Sequence, residues 1–542
     1  MMFVPKQAAT LLAAFVDQRM QAANTPGVFV ALTDREKLLG SSGHGFANLA
    51  ARAPVTSDHL FEIGSISKSF TAIAILQLCD EGQVDLHAPV RSYLPWFRVP
   101  SDYESITLHH LLSHTAGIIR GTDFTTEGHH EVWALRRMRA TTPPGTHFHY
   151  SNVGYKALGL VLEEVLNQSY GEIIQRRILD RLGMDSTEPV ITHDTRKCLA
   201  EGYECIYDDR PAHPSDPLVP ATWLETGTAD GSIASAAADM ATYVRMLLNR
   251  GQGSGGRILS EESFRLMTRR VIELPVGDRD HGKFYGYGLQ ISGKEGHVLI
   301  GHEGGMVGYY ASILADVDEG LGVVVLTNGP GEPVEIARFA LELLCASLHD
   351  EQLPPLPLTR APTCIGSPDS FAGTYRSERG ALTLIAQGEQ LVMVCGGDRV
   401  ALEGRREDRF YVPHPDFSRH LFRFGLEEGE VVEAFHGSDW FVNERYHGPT
   451  RFDFPAEWRA YTGHYRSHNP WHTNFRVILR KGKLYLEEPW GDVELLVPLG
   501  NGVFRIGADD RSPERLCFDT VLSGRALCAN LSGCDYYRTF TP

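Results

Sequence analysis

A seven-residue sequence occurs twice in the last third of this 542-residue chain, and it limits the folds that this part can adopt. Residues 371–377 read FAGTYRS, and residues 461–467, 90 positions further on, read YTGHYRS. Near the end of each copy, GSDWF at 437–441 is matched by GCDYY at 533–537. Between these repeated segments the sequence predicts short strands in which apolar and polar residues alternate. The repeat therefore predicts two antiparallel β modules, each closed into a small barrel. One larger β-sandwich is the alternative.

A proline-rich segment separates this region from the rest of the chain. Leu353-Pro354-Pro355-Leu356-Pro357 begins a connector that runs to residue 368, and helical periodicity gives way to strands beyond it. We therefore predict a first domain at 1–352, a linker at 353–368 and two barrel domains at 369–452 and 453–542.

The first domain has strands at both ends of a helical middle. Two strands late in the domain form a predicted hairpin across Asp318-Glu319-Gly320. The predicted strands are Val28–Leu32, Gly43–Asn48, Ala311–Val317 and Gly322–Asn328, and the predicted helices include Ile106–Gly117, Tyr155–Leu166, Ala237–Leu248 and Pro333–Ser347. This order predicts an α+β domain in which helices flank a mixed sheet whose first and last strands are neighbours.

Charge and cysteine usage limit the partners and the compartment that we expect. The chain has 51 Lys and Arg and 68 Asp and Glu, so its net charge of −17 argues against nucleic acid and against an anionic membrane surface. The apolar run Ala8–Val16 is followed at once by Asp17 and Arg19, which favours the first helix of the fold over a signal core. Nine cysteines at irregular spacing indicate reduced thiols. We expect a cytoplasmic protein.

The stretch from Gly64 to Lys68 carries the first candidate site residues. An apolar run at 71–78 follows it, so Ser65 and Lys68 are expected on one face of a buried helix. An amine in an apolar wall has a lowered pKa and can accept the proton of a serine that attacks a carbonyl. Free N–H groups at the helix N-terminus can stabilise an oxyanion. A capping serine beside a surface lysine is the alternative, since roughly one or two S-x-x-K matches arise by chance in a chain of this length.

A second motif, Tyr150-Ser151-Asn152, precedes a predicted helix. A phenol beside an ammonium group can be held near its ionised form, so Tyr150 is a candidate base and proton shuttle. The amide of Asn152 is expected to hold substrate or to orient Lys68. A packed aromatic residue is the alternative for Tyr150.

A third motif, Gly301-His302-Glu303-Gly304-Gly305, lies on a predicted strand. Glycines there let a ligand lie against the main chain, and the N–H of Gly305 is a candidate partner of the Ser65 N–H in an oxyanion hole. A β-bulge is the alternative for Gly304 and Gly305.

His110 and His114 lie one helical turn apart, as zinc ligands do. The sequence offers no evident third ligand, and we expect a structural role for both and no metal.

Taken together and in this order, Ser-x-x-Lys, Tyr-x-Asn and His-x-Gly resemble the motifs of the serine β-lactamase and penicillin-binding-protein superfamily. The class A motifs are S-x-x-K, S-D-N and K-T-G, and this chain departs from them at Tyr150 and His302. That combination is similar to class C β-lactamase-like esterases and to D-aminopeptidases. The flanking sequences LLSHTAG at 111–117, YSNVGY at 150–155 and GSIAS at 231–235 also match, and the resemblance covers residues 6–350.

The resemblance implies a β-lactamase-like catalytic domain, and the two barrels that follow it are similar to the lipocalin-like modules of D-aminopeptidase. In that family a loop of the second module approaches the active site, and HNPWH at 468–472 is the place to look for it here. The implied catalytic residues are Ser65, Lys68 and Tyr150, and the implied substrate-binding and oxyanion residues are Asn152, His302, Gly304 and Gly305. No cofactor is implied.

We therefore expect a serine hydrolase with a small-molecule or short-peptide substrate, most naturally a peptidase or amidase for substrates that contain a D-amino acid. A largely neutral His302, where penicillin-recognising relatives carry lysine, argues against a dedicated β-lactamase. A carboxylesterase, an acyl-transferring or macrocyclising enzyme and a non-catalytic binding protein are the alternatives. The sequence leaves the oligomeric state open, a homodimer included.

Overall fold

The computed structural model describes residues 5–123, 125, 127–275, 282–294, 296–358, 360–378, 380–406 and 408–539. The chain divides into two compact units. The first consists of Met1–Ile206 and Pro217–Pro357, and the second of Tyr207–Asp216 and Leu358–Pro542.

The first unit is built on a nine-stranded sheet. Its strands, in spatial order, are Ile272–Glu273, Phe284–Tyr285, Gln290–Lys294, His297–Met306, Tyr309–Asp316, Leu321–Thr327, Gly27–Asp34, Leu38–Asn48 and Ala53–Pro54. The prediction that the first and last strands of the domain are neighbours is confirmed, since Val28 lies opposite Thr327.

The sheet is antiparallel at each of its pairings, rather than mixed as we expected. Most neighbours in the sheet are consecutive in the chain and are joined by short connections, which hold strands antiparallel. The predicted hairpin is one of these pairs, formed by Tyr309–Asp316 and Leu321–Thr327.

Helices cover both faces of the central strands. The helices Lys6–Ala23 and Pro333–Leu348 pack on one face, where the rings of Phe15 and Phe339 have centroids 4.5 Å apart. The helix Ala237–Leu248 packs against the same strands. The strand Leu321–Thr327 is buried along its whole length, as expected of an apolar strand with helices on both sides.

The helix Ser67–Asp80 lies in the interior. Its residues 67–78 are all buried, and from residue 72 to residue 78 every side chain except that of Gln77 is apolar, as expected of a helix packed on all sides. The other helices of this unit are Leu108–Leu112, Gly128–Ala134, Asn152–Leu166, Tyr170–Ile174, Asp180–Leu182 and Glu261–Met267, and a π-helical turn spans Gln175–Leu179. Shorter strands pair at Phe61–Glu62, Ala234–Ser235 and Thr187–Glu188, at Tyr203–Cys205 and Leu218–Pro220, and at Gln252–Gly253 and Gly256–Arg257.

The predicted helix Ile106–Gly117 is shorter than expected. The structure has a helix only at Leu108–Leu112, because His114 has a φ of 57° and Gly117 one of 67°. These left-handed conformations end a right-handed helix.

The second unit contains two antiparallel sheets with separate apolar cores. The first has nine strands, Gly373–Ser377, Gly380–Gln387, Gln390–Cys395, Asp398–Ala401, Glu403–Arg406, Arg409–Tyr411, Phe422–Glu427, Glu430–His436 and Asp439–Val442. The second is a closed barrel of eight strands, Gly463–Arg466, Asn474–Arg480, Lys483–Glu487, Val493–Gly500, Val503–Ile506, Arg515–Leu522, Arg525–Leu531 and Cys534–Arg538, preceded by the helix Trp458–Tyr461.

The sequence repeat occupies the same structural position in both modules. Tyr375 and Tyr465 are fully buried, and each hydroxyl donates to the carbonyl four residues earlier, at 2.9 Å and 2.7 Å. In each module the strand that carries this tyrosine pairs with the last strand, at Arg376 with Val442 and at Arg466 with Tyr537. The prediction of two barrel-like modules is therefore confirmed.

Within the described ranges, no helix combines the length and the apolar character that crossing a bilayer requires. All nine cysteines lie in these ranges, and none of them forms a disulfide there.

Candidate active site

Ser65 lies in a tight turn at the mouth of the interior helix. The turn Gly64–Ile66 leads directly into Ser67–Asp80, and Gly64 adopts a φ of 52°. Nζ of Lys68 lies 2.9 Å from Oγ of Ser65 and donates to the carbonyl oxygen of Asp230 at 2.7 Å. Lys68 is completely buried. The helix thus presents a hydroxyl and an amine to each other at hydrogen-bond distance.

Tyr150 lies beside this pair. Nζ of Lys68 is 5.0 Å from the centroid of the Tyr150 ring. Tyr150 immediately precedes the N-cap of the helix Asn152–Leu166, where Oγ of Ser151 accepts the N–H of Gly154 and donates to the carbonyl of Ile119. The cap fixes the chain on the C-terminal side of Tyr150.

The ring of His114 packs against Tyr150, although the sequence indicated only a structural role for this histidine. Its ring centroid is 4.2 Å from that of Tyr150, and its Nδ1 accepts the N–H of Ser151 at 3.0 Å. Burial, together with nearby Lys68, lowers the pKa of His114 well below its usual value, so the ring is neutral. The proton is then on Nε2. His114 is also the residue whose left-handed φ follows the end of the helix Leu108–Leu112.

His302 lies on the strand His297–Met306 and is buried. Its Nδ1 donates to the carbonyl of Glu303, and its Nε2 accepts the hydroxyl proton of Tyr285 at 2.9 Å. Burial lowers the pKa of His302 to about 4, with a further contribution from Lys68. His302 is therefore neutral at pH 7.

The glycines after His302 allow this strand to touch the turn that carries Ser65. A Cβ on Gly304 would lie 1.9 Å from the carbonyl oxygen of Ile63, and a Cβ on Gly64 would lie 2.7 Å from the nitrogen of Gly305. The main chains at Gly304 and Gly305 thus pass against the residues immediately before Ser65, which is the arrangement that an oxyanion hole of two main-chain N–H groups requires.

Asn152 is held by a residue that the sequence did not single out. Its Nδ2 donates to Oδ2 of Asp123 at 2.8 Å, whereas Lys68 bonds to Ser65 and to the carbonyl of Asp230. Oδ1 of Asp123 also forms an ion pair with Nζ of Lys156, which lies one turn after Asn152 on the same helix. A lysine within the otherwise apolar stretch 153–162 was the one local signal of this arrangement.

Comparison with known proteins identifies the family. A family model described as beta-lactamase matches residues 12–346. The chain belongs to the beta-lactamase family. All seven predicted site residues lie inside the beta-lactamase match, and the two β modules lie outside it. Members of the beta-lactamase family are serine hydrolases, and the chain is a member of that superfamily.

Relatives of the beta-lactamase family differ in how much of the chain they cover. Penicillin-binding protein 4 of Amycolatopsis lactamdurans is 29% identical in an alignment of 352 residues, and the match covers 60% of this chain and 87% of that protein. The octameric penicillin-binding protein homologue from Pyrococcus abyssi has a TM-score of 0.59 and 27% identity and covers 80% of this chain and 100% of its own.

A D-amino acid amidase from Ochrobactrum anthropi SV3, complexed with D-phenylalanine, has a TM-score of 0.53 and 22% identity, and the match covers 64% of this chain and 99% of the amidase. At this identity the similarity shows the beta-lactamase fold alone.

Proposed function

We propose that the protein is a peptidase or amidase that forms an acyl-enzyme on Ser65 and acts on small substrates containing a D-amino acid. The observation that carries the proposal is the 2.9 Å distance between Nζ of Lys68 and Oγ of Ser65, within a fully buried environment for the lysine. A serine hydroxyl becomes an effective nucleophile when an adjacent base takes its proton.

In the proposed reaction, Oγ of Ser65 forms a bond to the substrate carbonyl carbon while Lys68 and Tyr150 take the hydroxyl proton. The carbonyl oxygen becomes an oxyanion, stabilised by the N–H groups of Ser65 and Gly305. The C–N bond of the amide then breaks as Tyr150 gives the proton to the leaving amine. Water attacks the acyl-enzyme, releases the acid and restores Ser65.

The neutral state of His302 favours an amidase over an enzyme that recognises β-lactams. Because its pKa is about 4, His302 supplies no positive charge for a substrate carboxylate at pH 7. The preference for D-amino acids is supported by the two β modules after the catalytic region, because that arrangement resembles D-aminopeptidase.

The test is hydrolysis of the p-nitroanilides of D-alanine and L-alanine beside a short-chain p-nitrophenyl ester. We expect the D-anilide to be cleaved faster than the L-anilide, and Ser65→Ala and Lys68→Met to abolish turnover of both anilides. Accumulation of an acylated protein of the expected mass, absent in Ser65→Ala, would support the acyl-enzyme.

Two outcomes would replace the proposal. Ester turnover without cleavage of either anilide would identify a carboxylesterase or an acyl-transferase. No turnover of any substrate by a folded protein would identify a binding protein.

We also propose a cytoplasmic location and self-association. The nine cysteines, none of which forms a disulfide in the described residues, support a reducing compartment. The relative from Pyrococcus abyssi is octameric, which supports an oligomer of this chain. Light scattering on the purified protein tests the second point.

A further inference from the structure

A cavity of about 670 Å³ lies between the nine-stranded sheet and the helix Pro333–Leu348. The strands Gln290–Lys294, His297–Met306 and Tyr309–Asp316 form its floor, and the helix forms its wall. All the residues that line the cavity belong to the first unit. Cavities of this size accommodate small-molecule ligands.

The cavity and the candidate active site lie on opposite faces of the strand His297–Met306. Glu303 lines the cavity and is paired with Ser312 on the neighbouring strand, which lines it too. His302 immediately precedes Glu303, so its side chain projects from the other face of the sheet. A ligand in the cavity would therefore be separated by the sheet from the site around Ser65.

Two buried polar side chains present atoms to the cavity without a hydrogen-bond donor. Ser312 is 3% exposed and Asp316 is 5% exposed, and both line the cavity. Oγ of Ser312 has no hydrogen-bond partner among the described residues. Oδ1 of Asp316 accepts the N–H groups of Asp318 and Glu319. Oδ2 of Asp316 lies 3.4 Å from Nδ1 of His297, a buried nitrogen that forms no hydrogen bond within the described part of the chain. Buried acceptors without a donor are costly, so these atoms point to a ligand that carries donors.

The lining of the cavity also carries an excess of negative charge. Carboxylates line it at Glu303, Asp316, Glu319, Glu342 and Glu351, against one lysine and one arginine. Three negative charges are thus in excess when the histidines of the lining are counted as neutral. In the described ranges no set of three His, Cys, Asp or Glu side chains could hold a metal ion. The charge therefore favours an organic cation as the occupant.

The spacing of the carboxylates indicates the shape of this cation. Ser312 and Asp316 are four residues apart on one strand, a distance of about 13 Å. Glu303 lies opposite Ser312 at one end of the floor, and Glu319 follows Asp316 in the hairpin turn at the other end. Leu314 lies between the two ends and lines the cavity. An occupant that satisfies both ends has two cationic groups joined by an apolar chain.

We propose that this cavity binds a linear aliphatic dication, a diamine or polyamine whose terminal ammonium groups are about 11 Å apart when extended. One ammonium group donates to Asp316 and Glu319, and the other donates to Glu303 and Ser312. The hydrocarbon chain between them covers Leu314. The inference goes beyond the proposed function, because this binding requires no turnover at the active site.

The test is equilibrium binding, measured by calorimetry on the full chain at pH 8 and physiological salt. The probes are 1,8-diaminooctane, which has the proposed length, and 1,8-octanediol, which has the same length without charge. We expect the diamine to bind at least about tenfold more tightly, because charge-assisted hydrogen bonds are the stronger ones. The shorter 1,4-diaminobutane spans only about 6 Å and reaches one end, so we expect it to bind at least about fivefold more weakly than 1,8-diaminooctane.

Glu303→Gln and Glu319→Gln each remove one charge, at opposite ends of the cavity. We expect each variant to weaken the binding of 1,8-diaminooctane by about tenfold. Asp350→Asn is the matched control, because Asp350 is exposed and lies between two lining residues without lining the cavity itself. Asparagine tolerates the φ of 53° at this position. We expect the control variant to bind the diamine as the unaltered protein does.

Two further variants locate the bound diamine. Ser312→Leu places a larger side chain in the cavity, and we expect it to weaken binding by at least about tenfold. Ser65→Ala is expected to leave binding unchanged.

Equal binding of 1,8-diaminooctane and 1,8-octanediol would overturn the proposed site, because charge would then not be recognised. Equal losses in Asp350→Asn and Glu319→Gln, or full binding by Ser312→Leu, would also overturn it, because the diamine would then bind to the acidic surface of the protein. Loss of binding in Ser65→Ala would place the diamine in the active site instead. None of these results depends on cleavage of an anilide, so failure of the cavity site and failure of the amidase proposal are distinguishable.

Discussion

At the scale of single residues, His114 shows how a neutral side chain can fix the position of a residue that we propose to be catalytic, Tyr150. It receives the N–H of Ser151, and its ring lies 4.2 Å from that of Tyr150. We expect His114→Leu to lower kcat by about 10–100-fold with a smaller change in KM, because misplacement of a proton-transfer group slows the chemical step. His114→Asn is expected to lower kcat less than His114→Leu does, because asparagine tolerates a left-handed φ and offers a hydrogen-bond acceptor. Steady-state kinetics on the p-nitrophenyl ester measure both.

The same substitution at an exposed histidine, His87→Asn, is the control and is expected to leave kcat unchanged. A positioning role for His114 is wrong if the leucine and asparagine variants lose activity equally, or if KM alone changes.

Glu62 makes stability depend on pH. Burial raises its pKa from 4.5 to about 8, so the folded protein keeps a proton that the unfolded chain releases between these values. Stability contributed by this group therefore falls as the pH rises from about 4.5 to about 8. We expect Glu62→Gln to raise the midpoint of thermal inactivation at pH 8 by at least about 3 °C and to have little effect at pH 5.

Glu188 is exposed, and Glu188→Gln serves as the control for Glu62→Gln. If Glu62→Gln raises the midpoint of thermal inactivation equally at pH 5 and pH 8, the result would contradict the titration of Glu62. Better packing of the glutamine would then explain the gain in stability.

At the scale of elements, the site depends on contact between the strand His297–Met306 and the turn before Ser65. Gly304→Ala would place a Cβ 1.9 Å from the carbonyl oxygen of Ile63, so the strand must move away. We expect a loss of more than about 100-fold in kcat/KM, because the N–H of Gly305 leaves the position where the oxyanion forms. Ester hydrolysis and the melting temperature are measured together.

Gly305→Ala is the comparison for Gly304→Ala. Its Cβ would meet only carbons of Tyr310 at 3.8 Å, which is ordinary contact, and the main-chain N–H is kept. We expect Gly305→Ala to lower kcat/KM by less than about tenfold. Equal losses in the two variants would argue against the contact with Ile63 as the reason that Gly304 is a glycine.

Elements with strong periodicity were predictable from the sequence, and elements defined by one residue's conformation were not. Ala237–Leu248 has the predicted bounds, and Pro333–Leu348 extends the prediction by one residue. The helix Leu108–Leu112 is shorter than predicted because the left-handed φ of His114 has no counterpart in periodicity. Strand direction depends on which strands pair, and a strand that is apolar throughout, such as Leu321–Thr327, is buried on both faces here although its neighbours are antiparallel.

The same division applies to the site. Ser65 and Lys68 are three residues apart, so helix geometry alone predicts their contact. The approach of Gly304 to Ile63 joins residues far apart in the chain. The glycines of the third motif indicated a close main-chain approach near Ser65, but they did not identify Ile63 as the contact. Asp123 and Asp230 lie in loops that no local pattern connects to Asn152 or Lys68, and only the folded chain brings them together.

At the scale of the whole molecule, the repeat predicted two modules because both copies preserve a buried tyrosine and its hydrogen bond. The domain boundaries at 352, 368 and 452 and the role of 468–472 stay predictions. No pattern in the sequence marks Tyr207–Asp216 as part of the second unit. Its place there follows from long-range ion pairs, such as that of Asp209 with Arg476, which composition does not reveal.

The net charge of −17 has a consequence for substrates as well as for partners. An acidic protein raises the local concentration of cations, and salt screens this effect as the Debye length falls from about 30 Å at 0.01 M to about 3 Å at 1 M. We therefore expect kcat/KM for cationic D-alanine p-nitroanilide to fall several-fold over this range. The neutral p-nitrophenyl ester is the internal control and is expected to change less than about twofold. If kcat/KM falls equally for both substrates, salt acts on the enzyme itself. If kcat/KM falls for neither substrate, the net charge of the molecule does not influence substrate binding at the site.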